Sequence, residues 1–105
     1  MKNITSDNFE KLVTNSDKPV LLDFYADWCA PCKAIEPVMK DIQVKYKDQL
    51  RVFKVDVDAQ PEMSVEYSVS ALPTVVLCKS GKLIDKRIGL ASVSDMDGFV
   101  ENNLD

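Results

Sequence analysis

Two cysteines, Cys29 and Cys32, are separated by two residues in the stretch Trp28-Cys29-Ala30-Pro31-Cys32-Lys33. Thiols at that spacing can close into a disulfide and reopen with little movement of the chain, which is redox chemistry. The apolar run Val20-Leu21-Leu22-Asp23-Phe24-Tyr25-Ala26 lies just before them and a helical pattern just after, so the pair falls where a strand gives way to a helix. A thiol at a helix N-terminus meets unpaired backbone N–H groups and the positive end of the macrodipole. Both stabilise its thiolate and lower its pKa below the roughly 8.5 of a free cysteine. Cys29, at the exposed helix entrance, is the expected attacking sulfur, and Cys32, one turn in and shielded, the expected resolving one. The other reading of such a pair is half of a zinc site. Structural zinc generally takes four Cys or His ligands, whereas this chain has three Cys and no His.

Resolution requires Cys32 to lose a proton. Asp23 is the one charge inside the apolar run, and a carboxyl buried beneath the pair would have its pKa raised by desolvation into a range useful for accepting that proton. The alternative is a structural acid paired with Lys54 or a backbone donor. The third thiol, Cys78, has apolar neighbours on both sides and reads as an inert buried side chain.

The positioning elements follow from periodicity. Ile4 falls on a short first strand, and Asp7-x-x-Glu10 resembles a capping box opening a helix with Phe9, Leu12 and Val13 as its apolar positions. Residues 20 to 26 read as a strand covered on both faces. From Cys32 to about Tyr46, Ile35, Val38, Met39, Ile42 and Tyr46 mark one helix face, with Pro37 expected to kink it. Residues 51 to 57 alternate as a strand, and Gln60-Pro61-Glu62 opens a short helix through Tyr67. Leu72 to Cys78 reads as a strand turning at Ser80-Gly81 into an antiparallel strand from Lys82 to Ile88. Ser94 is the expected cap of a last helix buried through Met96, Phe99, Val100 and Leu104. The order β-α-β-α-β-α-β-β-α puts the thiols at the C-terminal end of the second strand, where open α/β sheets carry their sites.

Over essentially its full length the chain resembles the thioredoxin family. The matching stretches are Val20 to Tyr25, Ala26 to Lys33, the Val-Asp at 55 and 56, Leu72-Pro73-Thr74, Ser80-Gly81 and Ile88-Gly89. The resemblance implies an α/β thioredoxin fold, with a central mixed sheet of about five strands flanked by about four helices. It implies a general protein-disulfide reductase that works through the Cys29/Cys32 pair and needs no bound cofactor. Its partners would be disulfide-containing client proteins and a thioredoxin reductase drawing on NADPH. Carried onto these positions, Cys29 is the nucleophile and Cys32 the resolving thiol. Asp23 is the buried proton acceptor, Lys54 its basic neighbour, Pro73 the cis proline facing the pair, and Trp28 the bordering tryptophan. Trp28, Ala30, Pro31, Leu72, Pro73, Ile88, Gly89 and Leu90 would form an apolar rim for clients. A cis bond at Pro73 would turn the Leu72 backbone outward to pair with an extended segment. In Trp-Cys-Ala-Pro-Cys, Ala30 stands where the common family form has glycine. Tyr25 and Cys78 replace a frequent tryptophan and phenylalanine.

Composition bounds the remainder. The chain of 105 residues fits a single domain, and its formal charge of −4 gives no basic stripe for nucleic acid. The first twenty residues contain Asp7, Glu10 and Asp17 and no secretory h-region, and no apolar run reaches membrane-spanning length. A cytoplasmic monomer is the expectation, in a compartment where such a pair cycles rather than staples. The competing classes are a binding module that uses the same apolar surface without its thiols, and an oxidant or isomerase of the secretory pathway.

Overall fold

A computed structural model of the protein describes residues 1–104. Its elements are β1 (Lys2–Asn3), a π-helical segment (Glu10–Thr14), β2 (Val20–Tyr25), α1 (Ala30–Lys45), β3 (Arg51–Asp56), α2 (Pro61–Glu66), β4 (Thr74–Lys79), β5 (Lys82–Ile88) and α3 (Val93–Glu101). The strands form one sheet in the order β1-β3-β2-β4-β5. β3 runs parallel to both β1 and β2, while β4 is antiparallel to β2 and β5. This is the mixed five-stranded sheet and helical complement of a thioredoxin fold.

β2 occupies the middle of the sheet, which explains its apolar run. Both of its faces are covered, so successive side chains enter opposite cores. Leu21 joins Val52, Val75 and Leu77 beneath Ile35, Met39 and Ile42 of α1 and Met96 and Val100 of α3. Leu22 and Phe24 join Val55, Val76 and Cys78 on the other face, against Val13, Met63 and Tyr67. By the same alternation Asp23 faces α1. Its neighbours across the sheet are Lys54 of β3 and Val75 of β4.

Local chemistry accounts for the element ends. Ser80 and Gly81 have φ of 54° and 79°, and left-handed backbone at both central positions matches a two-residue hairpin to the twist of its strands. The Tyr67 hydroxyl donates to the Gly81 carbonyl at 2.6 Å and ties the hairpin to the end of α2. The Tyr46 hydroxyl, at the C-terminus of α1, lies 2.6 Å from Asp97 Oδ1 and 2.7 Å from Glu101 Oε1, which joins the two helices on that face. α1 continues through Pro37 without interruption.

Three boundaries differ from the sequence reading. The first helix is a five-residue π turn, with the Asn15 N–H donating to the Glu10 carbonyl at 2.9 Å, and Asp7 does not cap it. The local bond is made upstream, from the Thr5 N–H to Asn8 Oδ1 at 2.8 Å. β4 begins at Thr74, leaving Leu72 and Pro73 in the loop before it. The cap of α3 is Ser92 rather than Ser94: its hydroxyl accepts the Asp95 N–H at 3.0 Å, and Asp95 Oδ2 accepts the Ser92 N–H at 3.3 Å. That reciprocal pair satisfies two N–H groups that an unassisted helix end leaves open; Ser94 also has an acid three residues on, but Asp97 is taken up by Lys45 and the Tyr46 hydroxyl. Leu104 lies beyond the helix but packs on the α1 core. Ser92→Ala is expected to cost about 1 kcal/mol in urea denaturation and Ser94→Ala no more than roughly half that; equal losses would place the cap elsewhere.

Candidate active site

Cys29 is the residue before the first turn of α1. Its backbone is extended, at φ −97° and ψ 106°, and its Sγ accepts the Cys32 N–H at 3.3 Å. A side chain at that position meets the open N–H groups of the helix, so negative charge on its sulfur is stabilised. Pro31 stands in the first turn, where its missing N–H would have had no intrahelical partner. Cys29 and Cys32 are joined as a disulfide, with Cα atoms 5.3 Å apart.

The expected contrast in exposure between the two sulfurs is absent at the level of whole residues. Cys29 is 6% and Cys32 4% exposed, because Ala26 is buried with them and Tyr25, Val57 and Leu72 pack against all three. What separates them is the space each faces. Cys29 lines an open groove of about 550 Å³ together with Trp28, Ala30, Pro31 and Leu72. Cys32 lines a cavity of about 140 Å³ shared with Asp23.

The groove is apolar and its rim is exposed. Trp28 is 72% exposed, and its indole N–H donates to Asp58 Oδ2 at 2.8 Å, so the ring is a held surface feature rather than core. Asp56 Oδ1 in turn accepts the N–H groups of Asp58 and Ala59, which fixes that loop. The Leu72–Pro73 peptide is cis. Leu72 lines the groove, whereas Pro73 is buried, with its carbonyl accepting the Gly89 N–H at 2.8 Å. That bond brings the exposed Ile88 and Leu90 alongside, and Gly89 takes φ of 95°, where a side chain would be strained. The groove also takes in Val57, Ser64, Val69 and Ala71, of which periodicity assigned Val57 to the third strand and Ser64 to the short helix, and none to the site.

The cavity on the other side is polar. Asp23 is 2% exposed, and its Oδ1 has no hydrogen-bond partner. Its pKa is raised to about 7, first by desolvation and then by the negative charge of Glu36, with Lys54 pulling the other way. Lys54 lines the cavity but places its ammonium over the Tyr25 ring, 5.2 Å from the centroid. The ion pair that would have made Asp23 purely structural is therefore not formed. Sequence reasoning placed Asp23, Lys54 and Cys32 here and missed Glu36, whose only signal was its i+4 spacing from Cys32. Asp58 was missed as well, since loop acids carry no periodicity.

Cys78 is fully buried in the opposite core, and its Sγ donates to the Val20 carbonyl at 3.6 Å. Burial pushes its pKa up to about 11, so its thiol is the less reactive form. Among the described residues no helix is long and apolar enough to cross a membrane.

Comparison with known proteins agrees with this geometry. The family model described as thioredoxin matches residues 1–102. A thioredoxin of Acidithiobacillus ferridurans is 40% identical over 101 residues, covering 96% of this chain and 94% of that protein. A thioredoxin of Rickettsia bellii is 35% identical over 102 residues, 97% of each. The chloroplastic thioredoxin Y2 of Arabidopsis thaliana is 40% identical over 103 residues, 98% of this chain and 62% of the longer plant protein. The chain belongs to the thioredoxin family, as a thioredoxin-type disulfide oxidoreductase.

Proposed function

We propose that this protein is a general protein-disulfide reductase, with Cys29 as nucleophile and Cys32 as resolving thiol. The observation that carries the reading is the division of space around the pair: Cys29 faces a broad apolar groove and Cys32 a smaller, more polar cavity. In the reduced protein the Cys29 thiolate attacks one sulfur of a client disulfide. A mixed disulfide forms, and the other client sulfur leaves as a thiolate that takes a proton from solvent. Cys32 then passes its proton to the Asp23 carboxylate and attacks Cys29 Sγ. The Cys29–Cys32 bond forms, the mixed disulfide breaks, and the second client sulfur leaves and is protonated. The client gains two electrons and two protons; the pair loses two electrons and the Cys32 proton, the second proton coming from solvent, where that of Cys29 went when it ionised.

The open groove suits clients of varied sequence. Trp28, Ala30 and Pro31 would supply apolar contact, and Pro73 with Ile88 and Gly89 would extend that surface beside the groove. The Leu72 backbone would pair with an extended client segment, which is tolerant of side-chain identity. Lys54 moderates the charge on Asp23 from the neighbouring strand. The family relationship supports a reductase partner that returns electrons to the pair, and the reading takes the protein as a monomer working in the cytoplasm.

Two sets of variants test this. Cys32→Ser is expected to accumulate mixed disulfides with client proteins that reductant releases, whereas Cys29→Ser traps none and reduces no protein disulfide. Trapping by Cys29→Ser alone would reverse the roles. Asp23→Asn is expected to slow disulfide reduction by roughly tenfold or more at neutral pH while stabilising the fold. The sign follows from the raised folded pKa: between about 4 and about 7 the folded state holds a proton on Asp23 that the unfolded chain has released, so stability contributed by this group falls as pH rises through that window. Removing the charge should recover on the order of 2 to 4 kcal/mol at pH 8 and little at pH 4. A stability gain independent of pH would count against the assignment.

A further inference from the structure

α1 lies across the face of β2 that carries Asp23, and its first two turns present Cys32 and then Glu36, four residues apart, on that side. We propose that Glu36 is a positioning residue for the exchange reaction, its carboxylate lining the Asp23 cavity and setting the pH at which Asp23 can take the proton of Cys32. The inference rests on the reading of Asp23 as proton acceptor and adds a residue that acts through it.

The charged and titratable groups around Asp23 come from each element packed on it. Tyr25 and Asp27 belong to β2 and the loop after it, Cys32, Lys33 and Glu36 to α1, and Lys54 to β3. β4 presents Val75, which carries no charge. Among the charges, Glu36 acts most strongly on Asp23, ahead of the opposing Lys54. Glu36 is free to act in this way because its partner, Lys40, meets it at 3.5 Å in an exposed i,i+4 pair with side chains 38% and 59% accessible. Such a pair is worth only a few tenths of a kcal/mol and does not neutralise the carboxylate toward the cavity. A general base works best with a pKa near the working pH. Glu36 offsets Lys54, which would otherwise make Asp23 a weaker base.

The test is a carboxyl-carbon NMR titration of Asp23 in the oxidised wild type, Glu36→Gln and Glu36→Asp, beside the pH profile of protein-disulfide reduction by each. Glu36→Gln is expected to lower the Asp23 midpoint by roughly half a unit and to move the acid limb of the rate profile down by the same amount. Glu36→Asp should keep both near the wild type. Added salt should narrow the gap between wild type and Glu36→Gln, because a half-exposed charge is screened. An unmoved midpoint, or a moved midpoint with an unmoved acid limb, overturns the proposal. Asp23→Asn in the same rate assay separates the two layers. If that variant keeps the acid limb, Asp23 is not the proton acceptor. If it loses the limb while Glu36→Gln shifts nothing, only the role of Glu36 falls.

Discussion

The open N–H groups at the start of α1 are the fixed electrostatic feature on which the rest of the molecule depends. A helix end cannot satisfy those donors from within, and here a sulfur stands in the place that a serine or aspartate side chain usually takes. The ordinary requirement of capping and the requirement of a reactive thiolate are thus met by one atom. The arrangement holds only if the strand before the helix delivers Cys29 to that point. β2 does so because it is locked on both sides by β3 and β4 and covered on both faces.

The same rigidity creates the opposing term. An acid in the middle of a covered central strand cannot reach water, and Asp23 has an oxygen with no partner at all. A sequence optimised for stability would place an apolar residue there, as it does at Leu21 and Leu22. Lys54 is near enough to moderate the charge and is drawn aside onto the Tyr25 ring, so the carboxyl stays poised between its two protonation states near neutral pH. Local destabilisation of this kind is characteristic of sites where a proton must move.

Much of this was legible beforehand, for physical reasons. The thiol spacing, the strand-to-helix switch and the lone charge in an apolar run are violations or coincidences of period, and period is what sequence carries best. The elements that escaped are those decided by tertiary geometry. Ser92 and Ser94 are equally good cap residues in isolation, each with an acid three places on, and the choice fell to Ser92 because Asp95 is left to it while Asp97 is drawn to Lys45 and Tyr46. The first helix was drawn into a π turn despite an acceptable capping pattern at Asp7 and Glu10. Glu36 looked like any polar residue on a solvated helix face until the register of α1 over β2 placed it above Asp23. Similar burial of Cys29 and Cys32 could not be read at all, because it depends on Leu72 and Val57 arriving from distant loops.

The two sulfurs of one bond open onto separate compartments, one broad and apolar, one narrow and polar. A client covering the first would not plug the second, so traffic of protein and traffic of hydrogen ions would use different doors. Docking of a bulky partner would then leave the space beside the buried acid as it was.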